Sequence, residues 1–197
     1  MQDLYSLLGH TDIYLIDQMM KGRYLPPQRI LDAGVGAGRN LQWFVQQGFE
    51  VYATDRDGEA IRGIAEQYAH LPTERWQLCT LESMPFADDY FDHIICSAVL
   101  HFADGPRHFT DMMTEMTRVL RPGGTIFIRM TTDQGLPPNF TALGNGHFAL
   151  ADGSTRFLLT TALLDETCQL LSLQLIEPFK TVLVAQLRSM AVVVLQK

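Results

Sequence analysis

The 197-residue chain predicts an α/β domain, a mostly parallel sheet with helices on both faces, on three observations. An apolar run ends in Asp32 and continues into Gly34, Gly36 and Gly38 at alternate positions, ILDAGVGAG over residues 30–38. A second apolar run, VYATD, ends in Asp55 after an intervening stretch of helical periodicity. Strand-sized apolar runs and helical patterns then keep alternating as far as residue 130, the order that builds a parallel sheet.

Taken in order, Ile13, Ile16, Met20 and their neighbours predict a short helix over 11–22, capped by Thr11 or Asp12 and ending near Gly22. Pro26 and Pro27 break the chain before the first strand, 29–33. Leu41, Phe44 and Val45 give one face of a helix over 38–47, stopped by Gly48. A second strand covers 50–54, a helix carries Ala60, Ile61, Ile64, Ala65 and Tyr68, and a third short strand covers 76–79. The fourth strand, 91–97, is too apolar to face water on either side. Phe109, Met112, Met113, Met116, Val119 and Leu120 define a helix over 106–120, its methionines read as core filling. Pro122-Gly123-Gly124 turns into a fifth strand, 125–130. Residues 131–156, rich in Gly, Pro, Asn and Thr, read as a long loop, a candidate lid or substrate loop. A helix over 160–171 and strands over 173–179 and 190–196 close the domain, with 181–187 either extending the first of these strands or connecting the two.

Bulk properties narrow the function classes. A single domain over 1–197, with 1–28 as a helical cap, fits the length and the 47% hydrophobic content. A net charge of −7 without a basic block disfavours nucleic acid as a partner. Cys79, Cys96 and Cys168 lack metal-ligand spacing and read as reduced thiols, so no metal is expected. The longest apolar runs are strand-sized and the first residues do not read as a signal peptide, so no membrane partner and a cytoplasmic location are expected.

The glycine turn carries the chemistry. A side chain there would hold a nucleoside away from the backbone, and an acid ending the next strand is placed for a ribose diol. Spacing excludes the dinucleotide fingerprint, because its third glycine would fall on Arg39. Asp55 could instead cap the following helix.

Four pieces occur in a fixed order: the glycine loop, the acid after strand two, LESMPFADDYFDHIICSAVLHF at 81–102, and RVLRPGGTIFIR at 118–129. Together they resemble the class I S-adenosylmethionine-dependent methyltransferases, well over 29–130 and loosely over 10–28 and 157–197. The likeness is to small bacterial members of the type 11 and type 12 groups, including tellurite-resistance-like ones that share Gly38-Arg39-Asn40. It implies a Rossmann-like, doubly wound, seven-stranded sheet with an antiparallel C-terminal strand, and S-adenosyl-L-methionine as cofactor. The implied reaction is in-line methyl transfer to a small-molecule acceptor carrying O, N, S or a heavier chalcogen.

By position, the resemblance gives Gly34 and Gly36 the close approach to the cofactor. Asp32 takes the ordering of the loop and the cofactor ammonium, and Asp55 the ribose hydroxyls. Arg56 is placed over the adenine, or is a solvated surface arginine. Thr80 and Leu81 stand where the family has Asp and Ala, so adenine would be met by the Leu81 amide with Thr80, Glu82 or water. Cys96 would present its backbone carbonyl, its thiol being structural. Arg23 would clamp the cofactor carboxylate, unless it only complements a helix C-terminus, and Tyr14 would help close the site. His101, beyond strand four, is the candidate base or acceptor-orienting group, or a histidine packed against the glycine loop. Phe102, Asn139, Phe140, His147 and Arg156 are candidates for lining the acceptor pocket. ICSAVLHF replaces the NPPY-type or DPPY-type segment of nucleobase amino-methylases. A nicotinamide oxidoreductase and a non-catalytic binder on the same fold are the competing readings.

Overall fold

The structure is a computed structural model that describes residues 3–136 and 140–197. Helices α1 (Leu4–Leu8) and α2 (Ile13–Met20) precede β1 (Arg29–Ala33), α3 (Gln42–Gln46), β2 (Glu50–Asp55), α4 (Gly58–Gln67) and β3 (Trp76–Leu78). They are followed by β4 (Phe91–Ser97), α5 (Pro106–Val119) and β5 (Leu120–Thr131). A second group comprises β6 (Thr141–Gly144), β7 (His147–Ala149) and β8 (Thr155–Phe157), after which come α6 (Thr161–Leu171), β9 (Gln174–Leu175), β10 (Lys180–Val184) and β11 (Arg188–Gln196).

The main sheet runs β10-β11-β5-β4-β1-β2-β3, with the short β9 beside β11. Strands β1 to β5 pair in parallel, whereas β11 is antiparallel to β5 and to β10. This is the doubly wound sheet with an antiparallel C-terminal strand that the resemblance implies, with β9 as an eighth strand beyond the seven expected. The strand period of two sorts the core into two layers. Ile94, Cys96, Ile126, Ile128, Val193 and Leu195 pack with Phe109, Met112, Met113 and Met116 of α5 and Leu164 of α6. Ile95, Phe127, Val192 and Val194 face the other way, onto Leu15 of α2, Phe44 of α3 and Ile64 of α4. The methionines of α5 are core residues, as their spacing predicts.

Three expectations are corrected. The helix expected from Gly38 begins only at Gln42, because Gly38 has φ +72° and residues up to Leu41 form a turn in which the Leu41 N–H donates to the Gly38 carbonyl. The strand expected over 173–179 shortens to β9, since Pro178 has no N–H for a ladder; residues 180–184 supply the edge strand instead. Residues 141–157 are not loop but a three-stranded antiparallel sheet, β6-β7-β8. Its first turn is Asn145-Gly146, with φ +51° and +77°, the pair that a two-residue hairpin turn favours.

Candidate active site

From β1 the chain winds outward to β2 and β3, then returns to β4 and β5 on the other side. The carboxyl ends of β1 and β4 therefore border a crevice where the winding reverses. A cavity of about 290 Å³ opens there, lined by Gly34, Gly36, Asp55, Arg56, Thr80, Leu81 and Glu82, and also by Cys79, Ala98, Val99, Phe102, His108 and Met112. Seven of the ten cofactor residues named from sequence thus meet at one place.

The glycine loop is built from the backbone. The N–H groups of Gly34 and Val35 both donate to the Thr54 carbonyl, at 2.8 and 2.9 Å, which locks the loop to the end of β2. Gly34 has φ +81°, and a Cβ on it would lie 2.4 Å from Cγ2 of Val99, a stiff β-branched side chain. Nothing lies within 4 Å of a Cβ built on Gly36, so its backbone borders open space. The Gly36 N–H donates to Oδ2 of Asp55 at 2.8 Å, and the Asp57 N–H donates to Oδ1 at 3.0 Å. Asp57, not Asp55, caps α4, accepting from the Glu59 N–H. The capping role is filled elsewhere, and Asp55 is left at the cavity as an oriented carboxylate.

Asp32 is 2% exposed, and its Oδ2 has no hydrogen-bond partner among the described residues. Burial raises its carboxyl well above the usual range, partly opposed by the Arg39 guanidinium. An unsatisfied buried carboxylate oxygen behind a glycine loop fits a cationic ammonium. Together with the oriented Asp55 and the open backbone at Gly36, it makes the site compatible with S-adenosylmethionine.

Three of the named cofactor residues do not line this cavity: Asp32, buried behind the glycine loop, Arg23 and Cys96. Arg23 is not brought to the cavity: its Nη2 donates to Glu177 at 2.7 Å and its Nε to Gln18 at 2.7 Å. The segment before β1 turns its guanidinium toward the C-terminal strands, where Glu177 holds it away from the cavity lining. Cys96 is wholly buried in the α5-side core, where burial pushes its thiol up.

His101 lines an adjoining cavity of about 410 Å³, which shares Ala98 and Phe102 with the first. Asp12, Arg39, Arg129, Thr131, Arg156, Val184, Arg188 and Met190 complete it. The imidazole is 7% exposed with no partner at Nδ1. Burial, then the charges of Arg156 and Arg188, lower its pKa to about 4. Asp12 ties this wall together. Its Oδ1 accepts from the Tyr14 N–H as the cap of α2, while Oδ2 accepts from Arg129 Nη1 at 2.6 Å and Arg39 Nη2 at 3.4 Å. Arg39 also donates to Ser97 Oγ at 2.8 Å, and the Asp12 N–H donates to Asn40 Oδ1. The Gly-Arg-Asn sequence therefore fastens α2 over the end of the glycine loop. Tyr14 lies with the Arg129 guanidinium 4.8 Å from its ring centre.

Of the other acceptor candidates, Phe102 and Arg156 line this second cavity. Phe140 and His147 line neither cavity, packing by Phe148 and Phe157 instead, and Asn139 lies outside the described residues. Sequence reasoning missed Asp12, Arg129 and Arg188 as cavity residues. It gave Arg39 no role, although Gly-Arg-Asn was the available signal.

His93, at the other end of β4, is buried between Thr125 Oγ1 and Gln28 Oε1, and burial lowers its pKa to about 4 as well. Both imidazoles thus titrate below the ordinary 6.5. As pH falls from about 6.5 towards 4 the unfolded chain protonates first, so stability present above this window is lost within it. Each histidine should contribute a loss on the order of 2–3 kcal/mol. The raised Asp32 carboxyl contributes in the opposite direction, so urea unfolding at pH 7 and pH 4.5 is compared between the unsubstituted protein and His93→Gln or His101→Gln. An acid loss no smaller in the variants would contradict the burial argument.

Residues 31–128 match a family described as a methyltransferase domain. The chain is 34% identical over 102 residues to a thiol S-methyltransferase from Mus musculus, covering 50% of this chain and 40% of that protein. It is 28% identical over 123 residues to the uncharacterized methyltransferase YodH from Bacillus subtilis, covering 61% and 51%. The curated relatives that it matches are longer: the chain spans about two fifths to one half of their length. In structure it is similar to a 1,6-didemethyltoxoflavin-N1-methyltransferase from Burkholderia thailandensis, solved with bound 1,6-didemethyltoxoflavin and S-adenosylhomocysteine. The TM-score is 0.69 at 20% identity, over 99% of this chain and 81% of that one, a likeness of fold. Among the described residues no helix is long and apolar enough to cross a membrane.

Proposed function

This chain belongs to the class I S-adenosylmethionine-dependent methyltransferases through the methyltransferase domain at residues 31–128, and on that premise we propose that it transfers a methyl group to a small-molecule acceptor carrying O, N, S or a heavier chalcogen. The observation that carries the reading is the pairing of two cavities. One is floored by the glycine loop and Asp55; the other, sharing Ala98 and Phe102 with it, holds a neutral His101.

When bound, S-adenosylmethionine supplies a methyl already activated by its sulfonium, so the protein's task is mainly to position the acceptor. Asp55 would hold the ribose hydroxyls, with its two oxygens already oriented by the Gly36 and Asp57 amides. Asp32 would take the ammonium at its unpaired Oδ2. Arg56, Thr80, Leu81 and Glu82 would border the adenine, with the Leu81 amide as the donor that does not depend on the Ala-to-Leu departure. His101 would orient the acceptor, since a pKa of about 4 keeps the imidazole neutral at physiological pH and leaves it a weak base. A non-catalytic binder would need no second cavity, and its presence favours the enzyme.

Calorimetric titration with S-adenosylmethionine, S-adenosylhomocysteine and NAD tests the premise. Micromolar binding of both sulfur compounds and none of NAD is expected. Absence of binding by either sulfur compound would sink the proposal.

A further inference from the structure

We infer that the acceptor is a small organic acid, recognised through its carboxylate by the arginines of the second cavity. The inference deepens the methyltransferase reading and rests on it. Arg39, Arg129, Arg156 and Arg188 converge on this cavity of about 410 Å³, in a chain whose net charge is −7. Their ion pairs leave them under-neutralised. Arg39 and Arg129 share one carboxylate, Asp12, which is 1% exposed at its side chain. Arg188 reaches Asp152 at 3.2 Å. Among the described residues Arg156 has no carboxylate partner; it donates to the Thr155 carbonyl, and its guanidinium sits 5.0 Å from the centre of the Phe102 ring. Four guanidiniums thus meet two carboxylates, a surplus of two positive charges.

The cofactor does not remove this surplus. With its ammonium assigned to Asp32, its carboxylate would offset one positive charge, and its sulfonium adds one back. A cationic or neutral acceptor would leave a half-enclosed cluster of like charges, whereas an anion would relieve it. Guanidiniums also suit carboxylates in geometry, since each offers a planar fork of donors. The Arg129 Nε is buried without a partner, so that fork has unused capacity. Val184, Met190 and Phe102 supply the apolar remainder of the wall, which calls for a hydrocarbon portion on the acid. The neutral His101 then faces the region beside the shared residues Ala98 and Phe102, where the nucleophilic atom of such an acid would lie.

The test compares benzoate, 3-phenylpropionate and hexanoate with their primary amides by ligand-observed NMR, in the presence of S-adenosylhomocysteine. At least one acid should bind about tenfold or more tightly than its amide, a discrimination expected of charge-assisted pairing. In Arg156→Gln and in Arg188→Gln that ratio should fall to about threefold or less. Amides that bind as well as acids, absence of acid binding, or discrimination that survives both substitutions would overturn the inference. Calorimetry with S-adenosylhomocysteine on the same unsubstituted protein separates the two readings. Failure there removes the methyltransferase proposal, while the acid-to-amide ratio without cofactor still reports the charge of the cavity.

Discussion

Asp55→Ala is expected to weaken S-adenosylmethionine binding by about 100-fold or more while leaving the fold intact, because hydrogen bonds to an ionised group are worth roughly 1.5–3 kcal/mol each. The carboxylate is half-buried at the mouth of the cavity, and its oxygens are fixed by the Gly36 and Asp57 amides. Removing it costs the ribose its acceptor and also frees the Gly36 N–H, so the glycine loop loses one of its ties to β2. The Gly34 and Val35 bonds to Thr54 remain and should keep the loop folded. Asp57→Ala is the contrast. It removes the cap of α4 and should cost about 1 kcal/mol of stability, with affinity little changed. Calorimetry and urea unfolding on the two variants separate the roles; equal affinities in both would displace the cofactor from Asp55.

Asp12→Ala is expected to be the most destabilising single change in the site, by about 3 kcal/mol, since it strands the largely buried Arg129 guanidinium while Arg39 keeps part of its solvent contact. Its carboxylate is 1% exposed and is the only one within ion-pair reach of Arg39 and Arg129 among the described residues. The same side chain caps α2. Asp12→Asn keeps an oxygen for the cap and should recover about 1 kcal/mol of the loss, which leaves the charge component as the remainder. Urea unfolding of both variants measures the split, and a loss under about 1 kcal/mol for the alanine would show that solvent compensates the arginines.

The parts of the site that local sequence dictates were legible before the structure. Glycines at alternate positions after an acid, and an acid closing the next strand, each report a backbone constraint carried within a few residues. Gly34, Gly36, Asp55, Arg56, Thr80, Leu81 and Glu82 accordingly meet in one cavity. The second cavity was not legible in the same way. Arg39, Arg129 and Arg188 come together through pairing between distant strands and one shared carboxylate, and no local period marks such a meeting. Arg23 shows the converse. Its place before β1 matched a family habit, but the partner that decides its direction, Glu177, lies far along the chain. The hairpin over 141–149 was a different kind of miss, since Asn145-Gly146 is a local signal that compositional reading of the segment concealed.

Every residue lining the first cavity falls between 34 and 112, inside the stretch shared with methyltransferase relatives. Most of the second cavity, Asp12 and the positions from Arg129 to Met190, comes from outside it. On the proposed function, the two halves of the reaction are carried by separable lengths of chain. One can be inherited unchanged while the other is rewritten, so acceptor choice can diverge through the flanks without disturbing the donor half.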